Sequence, residues 1–137
     1  MRTIISLAAL LMSVALVQLG SGSLAPLDTL SGTALGFSAS EIGLLGSAHF
    51  VGFFVGCWLA PRMTGTIGHV RVFAAFAASG AIGALAHPLW HEPWFWAALR
   101  MLTGFAVAGS ATVIEGWLQA RVNNQTRGRG IGIYRGV

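Results

Sequence analysis

Long apolar stretches alternate with short polar ones along the chain, and each apolar stretch has the length of a membrane crossing. The first, 4–24, carries no charge and is long enough at 1.5 Å per residue to cross a hydrocarbon core of about 30 Å. Arg2 in front of it mimics the positive start of a secretory signal, but the apolar stretch exceeds the usual core of about 7–15 residues, which favours a retained span. Pro26, Asp28, Gly32, Gly36 and Ser38 supply turn chemistry and predict a loop over 25–41, with Ser40 and Glu41 placed to cap the next helix. The second span is 42–60, where Gly52 and Gly56 are spaced as GxxxG and permit close approach of a neighbouring helix. Pro61 closes it, and 62–71 reads as a short basic connection interrupted by Gly65 and Gly68. The third span, 72–89, is alanine-rich with Gly80 and Gly83. A tight turn follows, flanked by Trp90, Trp94 and Trp96, the residue type that marks a membrane–water interface. The fourth span, 94–118, contains Arg100 and Glu115; 119–129 is polar and basic, and a fifth apolar run begins at about 131. The pattern predicts an all-α polytopic membrane helical bundle of four spans plus the start of a fifth.

Composition narrows the function classes. Charged residues are 9% of the chain, where a soluble domain averages about 25%, while hydrophobic residues reach 55% and the mean hydropathy is +0.72. So much apolar surface in 137 residues cannot hide in one small soluble core. The single cysteine, Cys57, can form no internal disulfide, and no Cys/His cluster has zinc spacing. All eight basic residues are arginines, so no GxxxxGK[ST] phosphate loop exists to power the protein by ATP. His49 falls about a third of the way into span two, His69 in the basic connection, and His87 and His91 at the far interface, so no two share an interior depth, which disfavours paired haem ligation. The net charge of +4 would suggest a nucleic-acid partner in a soluble protein, but here it is distributed as topology. Arg2, Arg62, Arg71, Arg121, Arg127 and Arg129 lie on one predicted side, and Asp28, Glu41 and Glu92 on the other. The positive-inside rule then places the N-terminus in the cytoplasm, with the lipid bilayer and not nucleic acid as the partner.

Several motifs carry a family resemblance. The run Gly56, Cys57, Trp58, Leu59, Ala60, Pro61, Arg62, followed by Gly68, His69, Val70, Arg71, resembles the glycine- and arginine-rich cytoplasmic loop between helices two and three of major facilitator transporters. It departs from that pattern where Pro61 precedes Arg62 in place of an aspartate, and in three extra residues before Gly68. Arg100 and Gly104 fit the R-x-x-x-G of the family's fourth helix, and Arg127, Gly128, Arg129, Gly132 and Tyr134 look like the start of its fifth. The stretch 43–76 and the run Glu115, Gly116, Trp117, Leu118 are similar to a little-characterised bacterial branch. The resemblance implies a twelve-helix transporter of two six-helix halves built from 3+3 inverted repeats. The chain then corresponds to its first third, would need the missing remainder of the transporter, and is not expected to transport alone. The implied partners are a small-molecule solute and protons, and the implied location is a bacterial inner membrane. Neither an enzymatic reaction nor a cofactor or metal is implied. The competing reading is a self-contained four-helix membrane subunit for interaction or assembly.

Four residues stand out as transport or coupling candidates. Arg100 lies about 9 Å into the fourth span, counted from Trp94. It must face protein or water, because exposure to lipid costs about 2.5 kcal/mol or more; the resemblance implies proton coupling or helix packing, and a bond to backbone carbonyls is the plainer alternative. Gly104, one turn on, is its close-packing neighbour. Glu115 is about 22 Å further along and about 60° around the helix, too far to touch Arg100 and placed to pair with Arg71 or Arg121. Gln18 is the polar group late in span one, suited to bridging helices or meeting solute. For cytoplasmic gating the resemblance implies Gly56, Arg62, Gly68 and Arg71, together with Arg127 and Arg129 before the fifth helix.

Overall fold

A computed structural model describes residues 2–121, which are helical apart from short connections. Four α-helices follow in order: α1 (Arg2–Ala34), α2 (Ala39–Ile67), α3 (His69–Leu85) and α4 (Pro93–Arg121), with a single 3₁₀ turn at His87–Leu89 before α4. The segments Ala39–Ile67, His69–Leu89 and Pro93–Ala120 are each long and apolar enough to cross a membrane. The expected fifth helix, and Arg127 and Arg129 before it, lie outside the described residues.

Two of the connections are shorter than the sequence pattern predicts. The loop expected over 25–41 is helical as far as Ala34, so α1 runs about 50 Å with Pro26 inside it. Proline removes one N–H from the ladder, but in a bilayer a chain leaving the helix would strand several backbone groups without any partner, so continuing is the cheaper course. Hydroxyls reinforce the segment: Ser23 donates to the Gly20 carbonyl at 2.9 Å, Thr29 to Ala25 at 3.0 Å and Thr33 to Thr29 at 2.7 Å. The helix stops at Gly36, whose φ of +85° is a left-handed conformation that favours glycine. Ser38, not Ser40, caps α2, in a reciprocal capping box with Glu41.

The second shortened connection is 62–71. Pro61 does not end α2, which continues to Ile67; Gly68 alone, at φ +86°, separates it from α3. The basic segment is therefore the end of one helix and the beginning of the next.

Small residues bring α2 and α4 together. A Cβ on Gly52 would meet the Met101 carbonyl, one on Gly56 the Phe105 carbonyl, and one on Gly104 the His49 carbonyl, so the backbones approach as closely as glycine allows. α3 packs on the neighbouring face of α4, where Ala60, Val72, Phe76 and Val113 form a buried cluster joining three helices. α1 meets the others through Val14, which packs with Ile114 and Leu118 of α4. Large side chains such as Leu19, Phe54, Trp58 and Leu85 point outward, as a lipid-facing surface requires.

Candidate functional site

Among the described residues the interior holds one cluster of charge. Asp28 lies on α1, about 9 Å before its end at Ala34, and Arg100 lies on α4, about 10 Å after Pro93, so the two side chains meet at one depth. Arg100 Nε is 3.3 Å from Asp28 Oδ2, and both residues are 5% exposed. His87, 8% exposed and in the 3₁₀ turn, completes the group, with its Nε2 3.4 Å from Asp28 Oδ1. Three elements distant in sequence thus converge on one carboxylate.

The geometry corrects the sequence reading of two groups. Asp28, expected in an exposed outer loop, is the counter-charge that Arg100 requires, because α1 continues past Pro26. His87, expected at the interface, is turned inward and buried. Trp96 holds it there: its indole N–H is shared between the His87 carbonyl at 3.1 Å and the Trp90 carbonyl at 2.9 Å, and its ring packs against the imidazole at 5.2 Å. Phe37 packs on the same indole, also at 5.2 Å, which ties the α1–α2 connection to the α3–α4 turn. A signal for Asp28 was present in the sequence. Leu24, Leu27 and Leu30 keep a helical spacing through the supposed loop, and Ser23, Thr29 and Thr33 can bond back to the helix.

The cluster is incompletely satisfied. Arg100 Nη1 is buried without a hydrogen-bond partner, and so is Nδ1 of His49, the α2 residue beside Arg100. A guanidinium out of water retains strong donors, so the free Nη1 is available to a further acceptor. Next to the cluster lies a cavity of about 280 Å³ between α1, α3 and α4. Leu24, Ala84 and Thr103, which line it, are each one helical turn from Asp28, His87 and Arg100 respectively. Most of its wall is apolar, and Ser110, whose hydroxyl is buried and unpartnered, contributes a polar point further along α4.

The other sequence candidates fall elsewhere. Gly104 is a helix-packing position against α2. Gln18 is exposed on α1, at the edge of a second, narrow cavity that it shares with Val14, Phe73 and Ile114. Glu115 is half-buried, and no ion pair joins it to Arg71 among the described residues. Arg62 folds back along its own helix, donating to the Trp58 carbonyl at 2.7 Å with its guanidinium 4.1 Å from the centre of the Trp58 ring. Arg71 is exposed near the start of α3, and Gly68 is the hinge between α2 and α3.

Apolar helices seamed by glycine around a buried ion pair define a multi-pass membrane protein, since such a charge pair and such an outer surface belong in a bilayer. The family model described as Major Facilitator Superfamily matches residues 5–137, and the chain belongs to that family. No curated protein and no solved structure matches the chain. Members of this family are transporters of small solutes, not enzymes, which accords with a site made of an ion pair and a cavity.

Proposed function

We propose that the chain forms the first third of a secondary active transporter working by alternating access, and that Asp28 and Arg100 are its coupling pair. The observation that carries this reading is the buried Asp28–Arg100 contact. It joins α1 to α4 across the interior and adjoins a solute-sized cavity. In a 3+3 repeat architecture these helices open their respective repeats, so an ion pair between them is suited to respond when one repeat moves against the other. Coupling is to protons or to a second solute, in keeping with a buried carboxylate facing a guanidinium and with a sequence that holds no GxxxxGK[ST] motif. Gly104 keeps α4 against α2 during that movement, and Gln18 and Glu115 border the path at greater distance. Gly56, Arg62, Gly68 and Arg71, with Arg127 and Arg129, belong to the cytoplasmic gate. The membrane is a bacterial inner membrane, and the N-terminus is cytoplasmic.

Proteoliposomes containing the complete transporter and loaded with a pH-sensitive dye test the reading. A panel of organic cations, organic acids, sugars and peptides is added outside, and the response is compared with that of Arg100→Ala and Asp28→Asn. Loss of solute-driven proton movement in both variants, with the protein still inserted, is expected; an unchanged response in both would remove the pair from the mechanism. Orientation is tested separately in a Cys57→Ser background. An impermeant maleimide should label Leu35→Cys in intact cells, and Thr66→Cys only after permeabilisation.

A further inference from the structure

The hydrogen bonds of His87 constrain where its protons are. Nδ1 lies 2.8 Å from the Gly83 carbonyl, which can only accept, so Nδ1 carries a hydrogen. In a neutral ring Nε2 is then a bare acceptor. Yet Nε2 faces Asp28 Oδ1 at 3.4 Å, inside the bundle, and is buried without a hydrogen-bond partner. An ionised carboxylate and a bare imidazole nitrogen would present lone pairs to each other where water is scarce. One additional proton resolves this, either as imidazolium facing carboxylate or as neutral imidazole accepting from a carboxylic acid.

We propose that His87 and Asp28 hold a single exchangeable proton between Nε2 and Oδ1, making this pair a proton-binding site whose occupancy governs how α1 is fastened to the α3–α4 turn. The groups that face it are few. Arg100 approaches Asp28 from α4, His49 lies beside Arg100 on α2, and α3 contributes the Gly83 carbonyl. With the proton present and on His87, the Asp28 carboxylate bridges an imidazolium and a guanidinium, and the cluster of Asp28, His87 and Arg100 carries a net charge of one positive unit. Once the proton has passed to water, the same three groups sum to zero. Asp28 is then held by Arg100 alone, and the contact between α1 and the turn is lost. Only N–H and O–H bonds form and break, and the proton is taken from water and returned to it. The inference deepens the transport reading by naming the proton's site and its second holder, but the site itself is argued from the Nδ1–Gly83 hydrogen bond and from Nε2 facing Oδ1.

Histidine nitrogen resonances of the chain, ¹⁵N-labelled at histidine and reconstituted in lipid nanodiscs, test it directly, with His87→Gln assigning the signal. At pH 7 the His87 ring should carry protons on both nitrogens, or else the infrared spectrum should contain a protonated carboxyl band that Asp28→Asn removes. In Asp28→Asn the His87 ring should become neutral with its hydrogen on Nδ1, and its proton affinity should fall at least about tenfold, as expected when a facing carboxylate is lost. Asp28→Glu should restore the shared proton. The wild-type spectra decide the matter even where Asp28→Asn does not fold. A neutral Nδ1–H ring at pH 7, with no protonated carboxyl band, overturns the proposal. The two readings also fail separately: intact coupled transport with a neutral His87 would sink the proton site alone, whereas a shared proton in a complete transporter that moves no solute would sink the coupling role alone.

Discussion

The contact between α2 and α4 and the contact between α1 and the rest of the bundle are built on opposite principles. Along α2 and α4, Gly52, Gly56 and Gly104 set backbone directly against backbone. Such a seam is rigid, because any separation forfeits many close contacts and any added atom has no room. α1 instead lies beside a cavity and is fastened at one end by Asp28, with Val14 packed on α4 elsewhere. Its attachment depends on a few polar contacts, which the proposed shared proton would alter. A transporter needs both kinds of contact: elements that move as one body, and an element whose fastening can change.

The largest expected effect comes from removing one partner of the ion pair. Arg100→Ala leaves Asp28 buried without its cation, and Asp28→Ala leaves the guanidinium unpaired; each should destabilise by about 3–5 kcal/mol. Hydrogen exchange should place the loss in α1 and the α3–α4 turn, with the α2–α4 seam still protected. The double variant Asp28→Asn/Arg100→Gln should be less damaging than either single change. Equal loss of protection in α1 and in α2 would show that the two regions are not energetically distinct.

Gly104→Val probes the other side of the comparison. A side chain there meets the His49 carbonyl, a backbone atom that cannot step aside, so the helices must separate. A cost of about 1–3 kcal/mol is expected, with α2 and α4 losing protection together. Thermal unfolding in detergent, read by the same exchange experiment, checks this, and Gly104→Ala should be milder than Gly104→Val. If exchange changed only in α1, the seam would not be the rigid element.

How much of this was readable in the sequence depends on which solvent a signal assumes. The apolar periodicity gave the helices, and the GxxxG spacing of Gly52 and Gly56 marked the seam, since small residues on a membrane helix have few other uses. Arg100 was identifiable because a charge at that depth demands a partner. The partner was missed because Pro26, Asp28 and Gly32 read as a turn, an inference that holds where water can bond the opened backbone. In lipid the helix persists and carries Asp28 inward. Pro61 misled in the same way at the end of α2. His87 was missed for a different reason: its burial depends on Trp96, nine residues on, whose indole clamps the turn, and no local pattern reports that contact.

Trp96→Phe isolates this clamp. The phenyl ring keeps most of the packing against His87 and Phe37 but cannot donate to the carbonyls of His87 and Trp90. The lost hydrogen bond should cost about 0.5–1.5 kcal/mol. The more informative readout is the position of His87: a freed turn should expose the imidazole to solvent and raise its reactivity toward diethyl pyrocarbonate, while the α2–α4 seam stays unchanged. Unaltered reactivity would mean that Asp28 and the Gly83 carbonyl hold the histidine in place without the indole.

The smallest effect is expected at Arg62, at the far end of α2. Pro61 supplies no N–H, so the Cys57 carbonyl one turn earlier lacks its usual donor. The adjacent Trp58 carbonyl receives an additional bond from the Arg62 guanidinium, which also packs against the Trp58 ring. Arg62→Gln removes the cation and should cost about 0.5–1 kcal/mol, the usual worth of an exposed cation–π contact. Because Arg62 binds its own helix and not a neighbour, neither the seam nor the fastening of α1 should respond. The change should be confined to Trp58 fluorescence, identified by subtraction of a Trp58→Phe control. A loss of protection spreading into α3 or α4 would instead give Arg62 a part in holding the helices together at this end, and the division into a rigid seam and a switchable fastening would need a third element.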